Sequence, residues 1–241
     1  MRARTTGDLT PPPSTRALIF DWDGTLADST TANYLSLRHA LGQHGHRLPR
    51  TWFEQRTGLS AEDVARAYAD EHAVELDEAA VARHRADAYL RYHVHTVEAV
   101  TPVVTVARQA LLRGRRLAIA TGGNARTFEP TLDHLGIREL FAVIVTRDEV
   151  EHGKPAPDLF DAALKRLRVR PTEAIVYEDS EEGLLAAEAA GILAIDVRPL
   201  LATRRRTSAA ATTGGDVGAA AGSAGDRSEH DVLDELEERH G

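Results

Sequence analysis

The clearest pattern along the chain is a run of four apolar residues at 17–20 that leads directly into Asp21-Trp22-Asp23-Gly24. An uninterrupted apolar run of this kind predicts a strand buried on both faces of a parallel sheet. Ligands of such sheets bind beyond the carboxyl ends of the strands. The two carboxylates therefore stand where ligands bind, although Asp and Gly are also common in ordinary acidic turns.

Beyond residue 98 the chain alternates between short apolar runs and helical segments of about ten residues. The runs predict four further strands, at 116–120, 141–145, 174–177 and 192–197. Glycine follows three of the intervening helical segments, as is common at helix ends. Strands that alternate with helices form right-handed βαβ units. The pattern therefore predicts an α/β fold with a parallel sheet.

Residues 28–97 show no strand pattern and predict three helices instead. The first is capped by Asp28 or Ser29, the second follows the capping box at 60–63, and the third spans about 77–95. This block therefore predicts a small helical insertion that is separate from the sheet.

The two ends of the chain differ from the rest. Residues 1–15 combine arginines with three consecutive prolines and lack an apolar signal-peptide core, so they predict a short disordered leader. Residues 207–225 are almost entirely Gly, Ala, Ser and Thr, which cannot bury enough apolar surface to offset their ordering entropy. We therefore expect a disordered, low-complexity acidic tail over 201–241.

The composition and charge of the chain argue against several classes of protein. The net charge of −8 comes mostly from the residues beyond 207, so the globular part is nearly neutral. There is no basic stripe with interleaved aromatics, which argues against nucleic acid as a partner. The sequence contains no run of 18 apolar residues, so it predicts no membrane span. The absence of cysteine excludes disulfides and thiolate sites, and fits a cytoplasmic protein.

Polar residues follow three of the predicted strands at one edge of the sheet, and a lysine lies in a loop before a helix. They are Asp21, Asp23, Thr121, Lys154, Glu178 and Asp179. Clustered carboxylates repel one another without a cation, and hard oxygen ligands suit Mg²⁺. A hydroxyl and an ammonium group suit a phosphate. Each residue alone also fits a turn, a helix cap or a solvated surface, but together they predict a phosphoryl-transfer site.

Four short motifs carry a resemblance to a known family: 21–25, 120–122, 154–155 and 178–183. Together they resemble the motifs of the haloacid dehalogenase superfamily, in its β-phosphoglucomutase-like branch of sugar-phosphate phosphatases. The resemblance covers about 16–200. It implies a Rossmann-like core at 16–27 and 98–200, with the first strand in the middle, and an inserted α-helical cap domain at 28–97.

The resemblance also implies roles for the matched residues. Asp21 resembles the nucleophile that becomes an aspartyl-phosphate, and Asp23 resembles the general acid that later activates water as a base. Thr121, Gly122 and Lys154 resemble the residues that bind the phosphate.

A second implied role is metal binding, with Mg²⁺ as the cofactor. Asp21, the backbone carbonyl of Asp23, and Asp179 resemble the metal ligands. Glu178 resembles a further ligand, which binds either directly or through water.

Two features of the sequence favour one activity of the superfamily over the others. Asp23 favours phosphate esters, because dehalogenases lack a carboxylate there and phosphonate-cleaving relatives carry Ala. The mutase pattern has His where this chain has Asn33, and it has cations where this chain has Thr57 and Ala61. We therefore predict a phosphatase acting on a small sugar or cyclitol phosphate. A β-phosphoglucomutase-type mutase is the alternative, and a non-catalytic binding module is less favoured.

The helical block is expected to select the substrate. Asn33, Arg56, Thr57 and Ser60 are the candidates, although each also fits an ordinary solvated residue. The expected partner is a small-molecule phosphate ester, and the protein is expected to be a monomer.

Overall fold

The computed structural model describes residues 1–56 and 59–200. Its strands are β1 (Ala17–Phe20), β2 (Ala27–Asp28), β3 (Glu98–Ala99), β4 (Arg116–Ala120), β5 (Val143–Val145), β6 (Ala174–Glu178) and β7 (Leu193–Asp196). Its α-helices are α1 (Thr30–Gln43), α2 (Arg50–Glu54), α3 (Ala61–His72), α4 (Glu78–Ala88), α5 (Thr101–Leu112), α6 (Ala125–Leu135), α7 (Asp158–Leu167) and α8 (Glu181–Ala189). The expectations for Thr57 and for the acidic tail at 201–241 lie outside the described residues.

Five strands form a parallel sheet in the order β5-β4-β1-β6-β7, so β1 lies in the middle. The predicted α/β fold with a parallel sheet is confirmed. Phe20 pairs with Ile119 of β4 and with Tyr177 of β6. Because these strands are in register at their carboxyl ends, the residues that follow them emerge side by side.

Alternate residues of β1 enter two different cores. Leu18 and Phe20 pack in the cluster that includes α5 and α6 residues, whereas Ala17 and Ile19 pack in the cluster with α7 and α8. Phe20 also stacks on Tyr177, with ring centroids 4.8 Å apart. None of the four β1 residues is exposed to solvent. The strand that leads into the site is therefore held from both sides.

Helices α1 to α4 follow one another between β2 and β3 and share their own hydrophobic cluster. Its largest members are Tyr34, Phe53 and Tyr68. Ser60 caps α3 by accepting from the Asp63 backbone N–H at 3.1 Å, as the capping box predicts. The pattern indicates no strand in this block, yet β2 and β3 pair as a short antiparallel ribbon at its ends. Two-residue strands are too short to show a period.

The first 15 residues pack against the rest of the protein, so the expectation of a disordered leader is wrong. Ala3 and Leu9 are fully buried. The Ala3 N–H donates to the Asp196 carbonyl at 2.9 Å, and the Tyr177 hydroxyl donates to the Leu9 carbonyl at 2.6 Å. The segment thus covers the edge strand β7, whose backbone groups would otherwise lack partners. Isolated apolar residues among prolines carry no periodic signal, which is why the sequence pattern missed this contact.

No helix within residues 1–56 and 59–200 has the length and apolar character needed to cross a membrane.

Candidate active site

A buried ionic cluster lies at the carboxyl end of β1. The Lys154 ammonium donates to Asp21 Oδ1 at 2.5 Å and to Glu178 Oε2 at 2.7 Å. Asp21 follows β1 and Glu178 ends β6, while Lys154 comes from the loop between β5 and α7. All three residues are at most 5% exposed. The structure therefore brings together three of the residues singled out by the sequence.

This cluster contains more negative than positive groups, and the excess shifts the pKa values of its members. Burial, with the charge of Glu178, raises the pKa of Asp21 to about 7, although Lys154 acts in the opposite direction. Burial and the charges of Asp21 and Glu178 also raise the pKa of Asp179 well above its ordinary range. Burial alone would lower the pKa of Lys154, but Asp21 and Glu178 raise it overall. One ammonium group faces three carboxylates, so a further cation would relieve their repulsion.

The same carboxylates have the geometry of a metal site. Asp21, Glu178 and Asp179 each offer an oxygen atom, and these atoms lie within 4.8 Å of one another. The Thr25 hydroxyl donates to Asp179 Oδ1 at 3.0 Å. Gly24 leaves room for this carboxylate, since a Cβ there would lie 2.1 Å from Asp179 Oδ2. An all-oxygen donor set is what hard cations such as Mg²⁺ prefer, so the residues fit the predicted metal.

Asp23 faces the helical block rather than the sheet. Its Oδ1 accepts from the Ser29 hydroxyl at 2.5 Å and from the Asn33 amide at 2.8 Å. The Arg85 guanidinium of α4 in turn donates to Asn33 Oδ1 at 2.5 Å. Asn33, a candidate for substrate selection, thus contacts Asp23 directly. The sequence indicated Ser29 only as a helix cap, and no local motif marks Arg85.

The loop after β4 forms the next wall of the site. Thr121 is fully buried, and its hydroxyl accepts from the Gly123 N–H at 2.9 Å. Asn124 caps α6 by accepting from a backbone N–H. Gly123 approaches Asp23 so closely that a Cβ there would lie 3.6 Å from Asp23 Oδ2. This loop, which includes Gly122, therefore places a helix N-terminus beside Asp23, where backbone N–H groups favour anions.

A cavity of about 420 Å³ opens between these residues and the helical block. Small-molecule sites usually have volumes of roughly 300–1,000 Å³. Arg56 and Ser60 line this cavity together with Asn33. The Arg56 guanidinium is paired with Glu71 and lies 4.0 Å from the centre of the Trp52 ring. The candidates for substrate selection therefore face the cavity, except Thr57, which lies outside the described residues.

The family model described as haloacid dehalogenase-like hydrolase matches residues 18–197. The fructose-1-phosphate phosphatase YqaB of Escherichia coli K12 is 36% identical over 184 residues, which cover 76% of this chain and 96% of that protein. The validoxylamine A 7'-phosphate phosphatase of Streptomyces hygroscopicus subsp. limoneus is 30% identical over 183 residues, with coverage of 75% and 84%.

Among solved structures, a hydrolase from Pseudomonas syringae is similar with a TM-score of 0.67 and 27% sequence identity. That match covers 80% of this chain and 99% of the other. The matched segment contains β1 from Leu18 onward, the helical block and every residue of the ionic cluster. The chain therefore belongs to the haloacid dehalogenase-like hydrolase family.

Proposed function

We propose that the chain hydrolyses a small phosphorylated sugar or cyclitol, with Mg²⁺ as cofactor and an aspartyl-phosphate on Asp21 as intermediate. The chain is a phosphoric monoester hydrolase. The observation that carries the proposal is the arrangement of two carboxylates with different surroundings on one cavity. Asp21 is buried against Lys154, whereas Asp23 is hydrogen-bonded to Ser29 and Asn33. Two such environments suit two chemical roles, one nucleophilic and one acid–base.

In the first step a carboxylate oxygen of Asp21 forms a bond to phosphorus while the bond from phosphorus to the leaving-group oxygen breaks. Asp23 gives its proton to that oxygen. In the second step Asp23 takes a proton from water while the water oxygen forms a bond to phosphorus and the bond from phosphorus to the Asp21 oxygen breaks. Inorganic phosphate then leaves, and both carboxyl groups return to their starting forms.

Neighbouring residues prepare these two groups. Lys154, which donates to Asp21 Oδ1, offsets the repulsion between a carboxylate and an anionic phosphate. Mg²⁺ held by Asp21, Glu178 and Asp179 would supply further positive charge at the same point. The Gly122 backbone N–H can bind a phosphate oxygen, whereas the Gly123 N–H already donates to Thr121.

Hydrolysis is favoured over a mutase reaction because a mutase must hold a second phosphate. The Arg56 guanidinium forms an ion pair with Glu71 and lies over the Trp52 ring. Asn33 is committed to Asp23 and Arg85. Arg56 is therefore already neutralised and Asn33 is uncharged, so neither supplies the positive charge that the mutase pattern has in the helical block.

The test is phosphate release from a panel of sugar, cyclitol and nucleotide monophosphates with Mg²⁺ present. Asp21→Asn should lower kcat by on the order of 10³-fold or more, because it removes the nucleophile. Asp133→Asn, at an exposed position of α6, is the matched control and should behave as the wild type. Normal turnover by purified Asp21→Asn would refute the mechanism. Conversion of a hexose 1-phosphate to its 6-phosphate, with the bisphosphate supplied and no phosphate released, would overturn the hydrolase assignment.

A further inference from the structure

A pair of charged residues outside the four motifs also faces the catalytic cavity. Arg147 and Asp148 begin the short 3₁₀ turn that follows β5, and both line the cavity. They belong to the sheet-bearing part of the chain, whereas Asn33, Arg56 and Ser60 belong to the helical block.

Arg147 is fixed in place from several directions. Its backbone N–H donates to the Gly123 carbonyl at 3.1 Å, which ties it to the loop after β4. Its Nη1 donates to the Val150 carbonyl at 2.9 Å. Gly153 makes room for the side chain, because a Cβ there would lie 2.9 Å from Arg147 Nε. The guanidinium is therefore oriented before any ligand arrives, which lowers the entropic cost of binding.

The charge of Arg147 is not compensated within the described residues. Among the other arginines that line the cavity, Arg56 and Arg66 are paired with carboxylates, and Arg85 donates to Asn33. Arg147 has no carboxylate partner among residues 1–56 and 59–200, and its Nε is buried there without an acceptor. A buried donor without a partner is unfavourable.

Asp148 supplies the complementary group. Its Oδ2 accepts from the Ala125 N–H at the start of α6, at 2.7 Å. In the described part of the chain its Oδ1 makes no hydrogen bond. The turn therefore offers the cavity an oriented donor and an oriented acceptor from adjacent residues.

The position of the turn indicates which part of a substrate it would contact. The order of strands places β5 two strands away from β1. Neighbouring strands lie about 4.8 Å apart, so the turn begins roughly 10 Å across the sheet from Asp21. A phosphorus atom attacked by Asp21 would lie beside β1. The turn after β5 is therefore better placed for the leaving group than for the transferred phosphate.

We propose that Arg147 and Asp148 select a polyhydroxylated leaving group by binding two neighbouring hydroxyls. The guanidinium donates to one hydroxyl oxygen, and Asp148 Oδ1 accepts from the next hydroxyl. Each hydroxyl both donates and accepts, so this combination matches a vicinal diol. The inference rests on the proposed phosphatase function, and it assigns part of the substrate selection to the sheet-bearing part of the chain.

The experiment compares two substrates that differ in hydroxyl groups. One is the sugar or cyclitol phosphate with the highest kcat/KM in the panel, and the other is p-nitrophenyl phosphate, whose leaving group has no additional hydroxyl. Arg147→Ala and Asp148→Asn should each raise KM for the first about 10-fold or more, and change KM for the second less than about 2-fold. Arg108→Ala, at an exposed position on α5 outside the cavity, is the control and should change neither.

Three outcomes would overturn the inference. An equal rise in KM with both substrates would mean that the residues act on the phosphate or on folding. No change with either substrate would mean that they do not contact the leaving group. Wild-type turnover of p-nitrophenyl phosphate without turnover of any polyol phosphate would remove the proposed ligand. If the wild type hydrolyses neither substrate with Mg²⁺, it is the proposed phosphatase function that has failed.

Discussion

Replacing Gly24 with alanine tests whether activity requires the observed position of the Asp179 carboxylate. Gly24 has a φ of +82°, and an added Cβ would lie 2.1 Å from Asp179 Oδ2. The substitution therefore has two separable effects. One is backbone strain, because an alanine is forced into the left-handed region. The other is displacement of a carboxylate in the proposed metal site.

The size of each effect follows from the geometry. The left-handed conformation costs a non-glycine residue about 1–2 kcal/mol. Ordinary contact between heavy atoms begins near 3.5 Å, so Asp179 Oδ2 would have to move by about 1.4 Å. That movement would disturb the hydrogen bond from Thr25, which is 3.0 Å long. A misplacement of about 1 Å can lower a rate 10²-fold, and we expect a fall of that order in kcat/KM for Gly24→Ala.

Gly114→Ala is the matched control. Gly114 has a φ of +72°, but no atom lies within 4 Å of its added Cβ. Urea unfolding should show a loss of about 1–2 kcal/mol in the free energy of unfolding for this variant. Its kcat/KM should be that of the wild type, measured as phosphate release at several Mg²⁺ concentrations.

Wild-type kcat/KM in Gly24→Ala would refute the reasoning, because Asp179 would then tolerate the displacement. A similar loss of activity in Gly114→Ala would also refute it, since strain alone would account for the effect. A loss of activity that is confined to Gly24→Ala supports a fixed position for Asp179.

Three further substitutions test other parts of the molecule. Measured without added metal, Lys154→Met should lower the free energy of unfolding by about 3–5 kcal/mol, because buried Asp21 and Glu178 lose their cation. A urea unfolding midpoint equal to that of the wild type would contradict this prediction. Asn33→Ala should lower kcat about 10-fold while leaving KM nearly unchanged, because it removes a hydrogen bond that orients Asp23. Steady-state kinetics that show only a change in KM would contradict the positioning role. Burial alone would raise the pKa of Asp196, but hydrogen bonds from Arg198 hold it below its ordinary value. A lowered folded-state pKa stabilises the protein above the unfolded pKa of about 3.9 and ceases to do so as the pH falls through the folded value. Asp196→Asn should therefore be less stable than the wild type at pH 7, and the difference should shrink as the pH falls below the unfolded pKa of about 3.9. Thermal unfolding that shows a constant difference across this range would contradict the prediction.

The sheet and the ionic cluster could be predicted from sequence because each depends on a local signal. The apolar run before Asp21 marks a buried central strand, and parallel pairing brings the ends of such strands to one edge. The same reasoning brought Lys154 and Glu178 to that edge, where they form ion pairs. The individual catalytic roles remain predictions, which the variants above test.

The contacts around Asp23 could not be predicted in the same way. Asn33 and Arg85 are separated by 52 positions and lie on different helices. Their meeting depends on how α1 packs against α4, and no period or motif encodes that angle. Arg147 was missed for a related reason, since a single arginine after a strand is also an ordinary surface residue. The Leu9 carbonyl likewise accepts from a hydroxyl that is distant in sequence, that of Tyr177.

The partners of the two carboxylates that we propose as catalytic come from different parts of the chain, and this has a consequence for the proposed function. Asp21 is held by Lys154, which comes from the loop that follows the sheet strand β5. Asp23 is held by Ser29 and Asn33, at the start of α1. A change in the position of the helical block would therefore alter proton transfer by Asp23 and leave the surroundings of Asp21 intact. Substitutions in the Asn33 network should accordingly act on kcat, whereas substitutions at Arg147 should act on KM. These two signatures separate proton delivery from recognition of the leaving group within one cavity.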